Sequence, residues 1–229
     1  RYADIGLYFL ETTGSLPYTP ADLPPGGDGA TYHVHLPLDL PWAEGARAAF
    51  DVVLGLADKI AHLSPWGFVL HPPREPGLLA AFMALWTGCG RDPADILLEN
   101  VEDAGPSVLW PAARELRTGL CLDVGHMLAY DQTGLLRIPG VLTRTRMAHI
   151  YAPYDPGNPR DVALWDAPRR EHRHRALSAL DEAGRETLRT LLSGLGEKAV
   201  LMLEVFDDEA LVKSERALAD LCRSWGVPS

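Results

Sequence analysis

The run Ile96-Leu97-Leu98-Glu99-Asn100-Val101 shows the pattern from which the fold can be inferred. Its consecutive large apolar residues fit a short strand that is buried on both faces, and a carboxylate follows them at the carboxyl end. Strands of this kind belong to parallel sheets, because helices cover both faces of such sheets. The run therefore predicts a parallel α/β sheet with an ionisable side chain at a strand end.

Six other short apolar runs share this character. They cover residues 4–10, 31–36, 67–71, 120–124, 147–151 and 199–205. The segments between them have helical spacing of apolar residues, for example at Phe50, Val53 and Ala57. A further helix is expected behind an N-cap at Asp207 or Asp208. This alternation predicts an α/β fold with right-handed crossovers, whose seven strands are one fewer than a closed (β/α)8 barrel has.

The composition excludes several classes of function. Among 229 residues, 21 are basic and 31 acidic, and the resulting charge of -10 argues against a nucleic-acid partner, which a basic surface would have to hold. No apolar run reaches the roughly 18 residues of a membrane span. The three cysteines are too few for a disulfide framework and fit a reducing, cytoplasmic location. Dinucleotide, nucleoside-triphosphate and serine-hydrolase motifs are absent from the sequence.

Six of the seven runs carry an ionisable residue at or near the carboxyl end. These residues are His35, His71, Glu99, Asp123, His149 and Glu204. In a parallel α/β barrel the carboxyl ends of the strands meet on one face, where active sites are built. Imidazoles and carboxylates without a nearby cysteine pair are ligands for Zn, Mn or Fe. The sequence therefore predicts one shared metal site at this face.

Other histidines extend the predicted site. His126 lies just past a strand end in Asp123-Val124-Gly125-His126, and the irregular stretch that begins at Tyr151 contributes His172 and His174. His33 shares a strand face with His35 because side chains alternate along a strand. His62 lies in the middle of a helical pattern and is interpreted as a surface or packing residue.

The three predicted carboxylates, Glu99, Asp123 and Glu204, would repel one another on a shared rim. Metal ions would neutralise them, so the grouping favours a metal cluster. Bound metals bring the pKa of water near neutrality and stabilise the oxygens of a phosphoryl displacement. Metal-assisted hydrolysis therefore fits the predicted site better than redox chemistry.

The motifs around these residues resemble the xylose-isomerase-like superfamily, and their order and spacing are those of its endonuclease-IV-like branch. The motifs are His35-Leu36-Pro37, Leu70-His71-Pro72, Leu97-Leu98-Glu99-Asn100, Asp123-Val124-Gly125-His126, Ala148-His149-Ile150 and Leu203-Glu204-Val205. The resemblance implies a TIM barrel that binds two or three divalent ions. The implied ligands are His35, His71, Glu99, Asp123, His126, His149, His174 and Glu204. The chain has His172-Arg173-His174 where that branch has Asp-Arg-His.

The same resemblance bears on the strand count. In that superfamily a strand and a helix precede the segment that matches residues 4–10. We therefore expect residues 1–229 to form a single TIM (β/α)8-type barrel domain with seven strands visible and the first strand-helix unit missing upstream of Arg1. A genuinely open seven-stranded barrel is the alternative.

Within the superfamily the sequence is most similar to the cobamide-remodelling phosphodiesterases. The resemblance rests on residues 7–11 and 32–40, on His174-Arg175-Ala176-Leu177, and on Leu203-Glu204-Val205-Phe206 followed by Ser214. It implies hydrolysis of the nucleotide-loop phosphodiester of cobamides, with a soluble corrinoid as the small-molecule substrate. Glu99 would be the bridging ligand, and Glu99 and Glu204 would carry the catalysis.

Substrate contacts are predicted next to these ligands. Trp42 and Tyr151 follow strand ends and are candidates to face an extended planar ligand, although either residue can equally be part of the packing. His33 and His172 complete the substrate-binding candidates, His33 by its strand face and His172 by its position in the long irregular stretch.

Three other functions compete with this prediction. A sugar isomerase or epimerase needs a metal held by two acids and one or two other ligands, with an acid-base residue at a carbonyl-bearing carbon. The surplus of histidines counts against it. A DNA repair endonuclease would need basic loops, against a net charge of -10. A non-enzymatic binding module would leave the ligand set unused.

Overall fold

The chain folds as an α/β protein of the TIM-barrel type, as the sequence predicts. The computed structural model describes residues 4–8, 23–27, 29–154 and 174–226. Its seven strands follow one another in the sheet in chain order. They are β1 (Asp4–Tyr8), β2 (Thr31–His35), β3 (Phe68–Leu70), β4 (Ile96–Glu99), β5 (Gly119–Asp123), β6 (Thr145–Ile150) and β7 (Val200–Leu203). Each strand falls within or overlaps one of the seven predicted runs.

Within the described ranges, helices follow each strand from β2 onward, as parallel pairing requires. They are α1 (Ala46–Lys59), α2 (Pro76–Gly88), α3 (Pro106–Leu116), α4 (Val124–Ala129), α5 (Val141–Arg144), α6 (Glu182–Gly194) and α7 (Asp208–Trp225). The carboxylate of Asp207 accepts a hydrogen bond from the amide of Ala210 at 2.8 Å, which confirms the predicted N-cap of α7. Within the described ranges, no helix combines the length and the apolar character needed to cross a membrane.

The chain divides into two compact units. The first unit comprises residues 1–99 and 107–120, and the second comprises residues 100–106 and 121–229.

In the first unit, α1 packs against α2 through aromatic rings. The rings of Phe50 and Phe82 lie 6.1 Å apart, and Phe82 stacks on Trp86. On the strand side, the carboxylate of Asp4 accepts hydrogen bonds from Thr31, His33 and Trp66, which tie β1 to β2 and to the residue pair before β3. This partly buried polar contact supports the register in which Gly6 faces His33.

In the second unit, β6 pairs in parallel with β7, and His149 lies opposite Met202. The pairing continues one step past the strand, because the amide of Glu204 donates to the carbonyl of Ile150 at 3.3 Å. Leu188 and Leu191 on α6 are fully buried, whereas β7 is only partly buried along its length. The register places His149 and Glu204 at neighbouring strand ends.

Candidate metal centre

Strand ends carry the predicted ligands. His35, Glu99 and Asp123 are the last residues of β2, β4 and β5. His149 is the next-to-last residue of β6, while His71 directly follows β3 and Glu204 directly follows β7. All of them are buried except His71, which is partly exposed. The structure therefore confirms the strand-end placement that the apolar runs predict.

Three of these residues form one cluster in the first unit, which we call the first-unit cluster: His35, His71 and Glu99. The Oε2 atom of Glu99 lies 3.3 Å from Nε2 of His35 and 3.1 Å from Nε2 of His71. The two imidazole rings meet edge to face, with their centroids 5.2 Å apart. Each residue offers a ligand atom within 4.8 Å of the others.

The tautomer of His35 is set by its neighbour. Its Nδ1 lies 2.9 Å from the carbonyl oxygen of Leu36, and a carbonyl only accepts, so Nδ1 carries the hydrogen. In a neutral ring Nε2 is then an acceptor that faces the carboxylate of Glu99. Two acceptors at 3.3 Å require a proton or a cation between them.

Five residues form a second cluster in the second unit, which we call the second-unit cluster: Asp123, His126, His149, His174 and Glu204. The Nδ1 atom of His149 lies 3.3 Å from Oε2 of Glu204 and 3.8 Å from Oδ2 of Asp123. These three residues offer ligand atoms within 4.8 Å of one another. Because both carboxylates are buried, a cation would offset their mutual repulsion.

His126 and His174 are oriented by backbone carbonyls. Nδ1 of His126 lies 2.8 Å from the oxygen of Asn100, and Nδ1 of His174 lies 2.7 Å from the oxygen of Glu204. Both rings therefore donate through Nδ1 and carry a lone pair on Nε2, which suits metal binding. Burial lowers the pKa of His174 below its ordinary value, although the charge of Glu204 opposes this shift. A neutral imidazole is the form that binds a metal.

Asp123 has two roles at the start of α4. Its Oδ1 accepts a hydrogen bond from the amide of His126 at 2.6 Å, which caps the helix. Its Oδ2 lies 3.6 Å from Nδ1 of His126 and 3.8 Å from Nδ1 of His149. The cap holds one carboxylate oxygen in place and so fixes the direction of the other.

A buried amide network supports Asp123, and sequence reasoning missed it. The side chain of Asn100 accepts from the amide of Asp123 at 2.8 Å and donates to its carbonyl at 3.0 Å. It also donates to Oε1 of Gln132, whose own amide donates to the carbonyl of Val101. The Leu-Leu-Glu-Asn motif contained the signal, since a polar residue directly after a buried strand needs hydrogen-bond partners.

The predicted substrate-binding residues have different surroundings. His33 is fully buried and bonded to Asp4, and Trp42 packs edge-on against Phe82 at 5.6 Å. Tyr151 is 3% exposed, while His172 lies outside the described residues. Substrate contact by these four residues stays a prediction. A single metal site shared by all the strand ends, which the sequence predicts, also stays a prediction.

The donor set tests whether a metal fits. In the second-unit cluster, Asp123, Glu204 and His149 offer two carboxylates and one imidazole, with two further imidazoles beside them. This combination is the one that Zn, Mn and Fe sites use. The first-unit cluster offers two imidazoles and one carboxylate, with a geometry that calls for a proton or a cation. The residues therefore fit divalent metal binding.

These observations define a class: a TIM-type α/β barrel with histidines and carboxylates at the carboxyl ends of its strands. No protein-family model matches the chain, and no curated protein matches its sequence. Solved structures do match, at identities of 10–17% among those compared in detail, and they support the barrel fold of this chain. Membership of the cobamide-remodelling family is not shown.

Three of the matched structures illustrate the likeness. A D-tagatose 3-epimerase-like protein matches with a TM-score of 0.63 at 16% identity, over 86% of this chain and 79% of that one. An L-ribulose 3-epimerase matches with a TM-score of 0.63 at 14% identity, over 97% of this chain and 84% of that one. An IolI protein with a bound zinc atom matches with a TM-score of 0.57 at 16% identity, over 85% of this chain and 78% of that one.

The prediction of a cobamide phosphodiesterase is wrong. The matched structures include sugar 3-epimerases, which fit the alternative of a sugar isomerase or epimerase better than phosphodiester hydrolysis. The physical reason lies in the motifs on which the prediction rested. Glu99, Asp123, His149 and Glu204 are the residue types that hold a cation at strand ends, and a cation can assist either reaction. The ligand pattern therefore does not determine which bond reacts.

Proposed function

We propose that the protein is a metal-dependent sugar isomerase or epimerase, acting on a small polyhydroxylated carbonyl compound. This chemistry requires a metal held by two acids and one or two other ligands. Asp123 and Glu204 supply the acids and His149 the imidazole, and their ligand atoms lie within 4.8 Å of one another. That geometry, within a single compact unit, is the observation that carries the proposal.

The cofactor would be one divalent ion, Zn, Mn or Fe, held by Asp123, His149 and Glu204. Nε2 of His126 and Nε2 of His174 are the candidate donors for completing its ligand set. When bound, such an ion polarises a sugar carbonyl and stabilises negative charge on its oxygen. The cap bond from the amide of His126 to Oδ1 of Asp123 keeps Oδ2 directed towards His149. The carbonyl oxygens of Asn100 and Glu204 hold the two additional histidines in the matching tautomer.

Glu204 would have two roles, since one carboxylate oxygen would bind the ion and the other would move the proton. Epimerisation next to a carbonyl, and isomerisation through an enediol, remove a proton from the carbon beside the carbonyl, and a carboxylate shielded from water does this well. Glu204 is 6% exposed, and its Oε2 lies near Nδ1 of His149 and of His174, at 3.3 and 3.7 Å. Glu99, the other predicted catalytic carboxylate, is held by His35 and His71 in the first-unit cluster.

Replacing Glu204 tests the proposal. Glu204→Gln keeps the side-chain size and removes the carboxylate, so we expect conversion of D-tagatose or L-ribulose by the Mn²⁺-loaded protein to fall at least about 100-fold. Chromatography of the sugar products measures the rate. The matched control is Glu209→Gln on the exposed face of α7, where Glu209 pairs only with Lys213 among the contacts seen, and it should convert at the wild-type rate. Equal rates for both variants would contradict the role of Glu204.

A further inference from the structure

Tyr151 lies between two histidines of the second-unit cluster. Its ring stacks on the imidazole of His174, with the centroids 3.7 Å apart and the planes 8° from parallel. The imidazole of His126 approaches it at 88°, with the centroids 6.3 Å apart. At 3% exposure, the tyrosine has little surface left for a substrate. Its ring contacts are therefore with histidines of the second-unit cluster.

The chain makes room for this ring at Gly125. A Cβ atom at that position would lie 2.1 Å from two ring carbons of Tyr151 and 2.6 Å from its hydroxyl oxygen. Gly125 is not among the glycines with positive φ, so its backbone conformation does not require glycine. Glycine is required because the ring of Tyr151 occupies the space that a Cβ atom would need. The glycine of the Asp-Val-Gly-His motif is thereby explained by a residue 26 positions further along the chain.

His174 is thus restrained by a hydrogen bond and a stacked ring, and His126 by a hydrogen bond and an edge contact. A hydrogen bond from Nδ1 fixes one ring atom, at 2.7 Å for His174 and 2.8 Å for His126. That bond alone leaves the ring plane able to tilt, and the flat contact with Tyr151 removes this freedom for His174. Hydrogen-bond partners that orient metal-binding histidines change metal affinity by about 10–100-fold when they are lost, and we expect an effect of the same order for the stacked ring.

We propose that Tyr151 is a positioning residue, which sets the ring planes of His174 and His126 so that their Nε2 atoms are available to a divalent cation, and that Gly125 is required to admit its ring. The inference rests on the proposed metal centre of the second unit. It reassigns Tyr151 from substrate contact, which the sequence suggested, to the support of metal ligands.

Cobalt binding tests this role, because Co²⁺ occupies Zn sites and its visible absorption reports ligand geometry. Tyr151→Phe keeps the ring, so we expect wild-type absorption and affinity. Tyr151→Leu removes the stacked ring, and Gly125→Ala displaces it; both should shift the absorption band and weaken Co²⁺ binding about 10–100-fold. Tyr32→Leu, at another tyrosine that is 2% exposed, should lower Tm while leaving the Co²⁺ spectrum unchanged.

The outcomes separate this inference from the proposal on which it rests. If the wild-type protein binds no Co²⁺, the metal centre itself is wrong. If the wild type binds Co²⁺ and Tyr151→Leu and Gly125→Ala keep its spectrum and affinity, the positioning role is wrong. If Tyr32→Leu weakens Co²⁺ binding as much as Tyr151→Leu and Gly125→Ala do, the loss of binding comes from general destabilisation. That result would also overturn the inference.

Discussion

Asn100 shows how a single buried amide can hold a metal ligand in place. A carboxamide has one acceptor and two donor hydrogens. In this structure the acceptor meets the amide of Asp123, and the donors meet the carbonyl of Asp123 and Oε1 of Gln132. The side chain is fully buried, so water cannot replace any of these bonds. The orientation of Asp123 therefore depends on the amide at position 100.

Asn100→Asp tests this network, because it replaces the amide donor with an acceptor and keeps the size of the side chain. The second carboxylate oxygen would face the carbonyl of Asp123 and Oε1 of Gln132, two acceptors without a hydrogen between them. We expect the free energy of unfolding to fall by about 1–3 kcal/mol, together with weaker Mn²⁺ binding. Urea denaturation and metal titration measure the two effects. Unchanged stability in Asn100→Asp would show that the network contributes nothing.

The sequence predicts the positions of some site residues but not the roles of others. His35, Glu99 and Asp123 could be placed because each ends an apolar run, and a local pattern is enough for that. The roles of Asn100, Gly125 and Tyr151 could not, since each depends on a contact more than 20 positions away in the chain. A glycine required by a distant ring looks like any other glycine in the sequence.

At the scale of elements, Asp4 joins the start of β1 to β2. Burial raises the pKa of this carboxyl, but the hydrogen bonds from His33, Thr31 and Trp66 outweigh it and lower the pKa below the ordinary value. The ionised form is therefore bound more favourably in the folded state than in the unfolded chain. The stabilisation is present above the ordinary pKa and is lost as the pH falls through the lowered one.

Asp4→Asn should reveal this linkage. The wild type is expected to be more stable than the variant at pH 7, and the difference should shrink as the pH falls below about 4, where the carboxyl takes up a proton. Chemical denaturation at a series of pH values measures both proteins side by side. A difference that stays constant from pH 7 to pH 2.5 would show that the charge of Asp4 does not stabilise the fold.

Strands and long helices were the elements best predicted from sequence. The runs of β2 to β6 became buried strands because continuous burial needs continuous hydrophobicity, whereas β1 and β7 formed from similar runs and are only partly buried. Helix α7 begins behind Asp207 as its cap predicts. The short helix α4 was not foreseen. It has six residues and starts directly after Asp123, so no apolar period could develop along it. Its existence depends on the cap formed by Asp123 itself.

For the whole molecule, the sequence predicts the barrel and the histidines and carboxylates at its strand ends but not the reaction. The fold follows from the alternation of runs and helices, and the candidate ligands follow from their positions at strand ends. The substrate is recognised by residues around the metal, whose types are not dictated by the fold. For that reason the resemblance to a phosphodiesterase misled, and the matched epimerases fit the isomerase or epimerase alternative better; carbonyl chemistry is our proposal.

Metal binding should stabilise the whole chain. A ligand present at about 100 times its Kd stabilises the folded state by about 2.7 kcal/mol, which corresponds to a rise in Tm of about 5–10 °C for a chain of this size. We expect this rise with Mn²⁺ or Zn²⁺ after treatment with a chelator, measured by calorimetry. His149→Ala should abolish it. His62→Ala, at an exposed histidine on a short 3-10 turn, should keep it, and loss in both variants would contradict the assigned centre.

The proposed reaction begins when the protein removes a proton from a carbon next to a sugar carbonyl. The most direct measurement is to incubate the Mn²⁺-loaded protein with D-tagatose and with L-ribulose in heavy water and to follow the sugars by proton NMR. We expect deuterium to replace hydrogen at the carbon beside the carbonyl, and we expect this exchange to be lost when a chelator removes the metal. Metal-loaded protein that leaves both sugars undeuterated would contradict it.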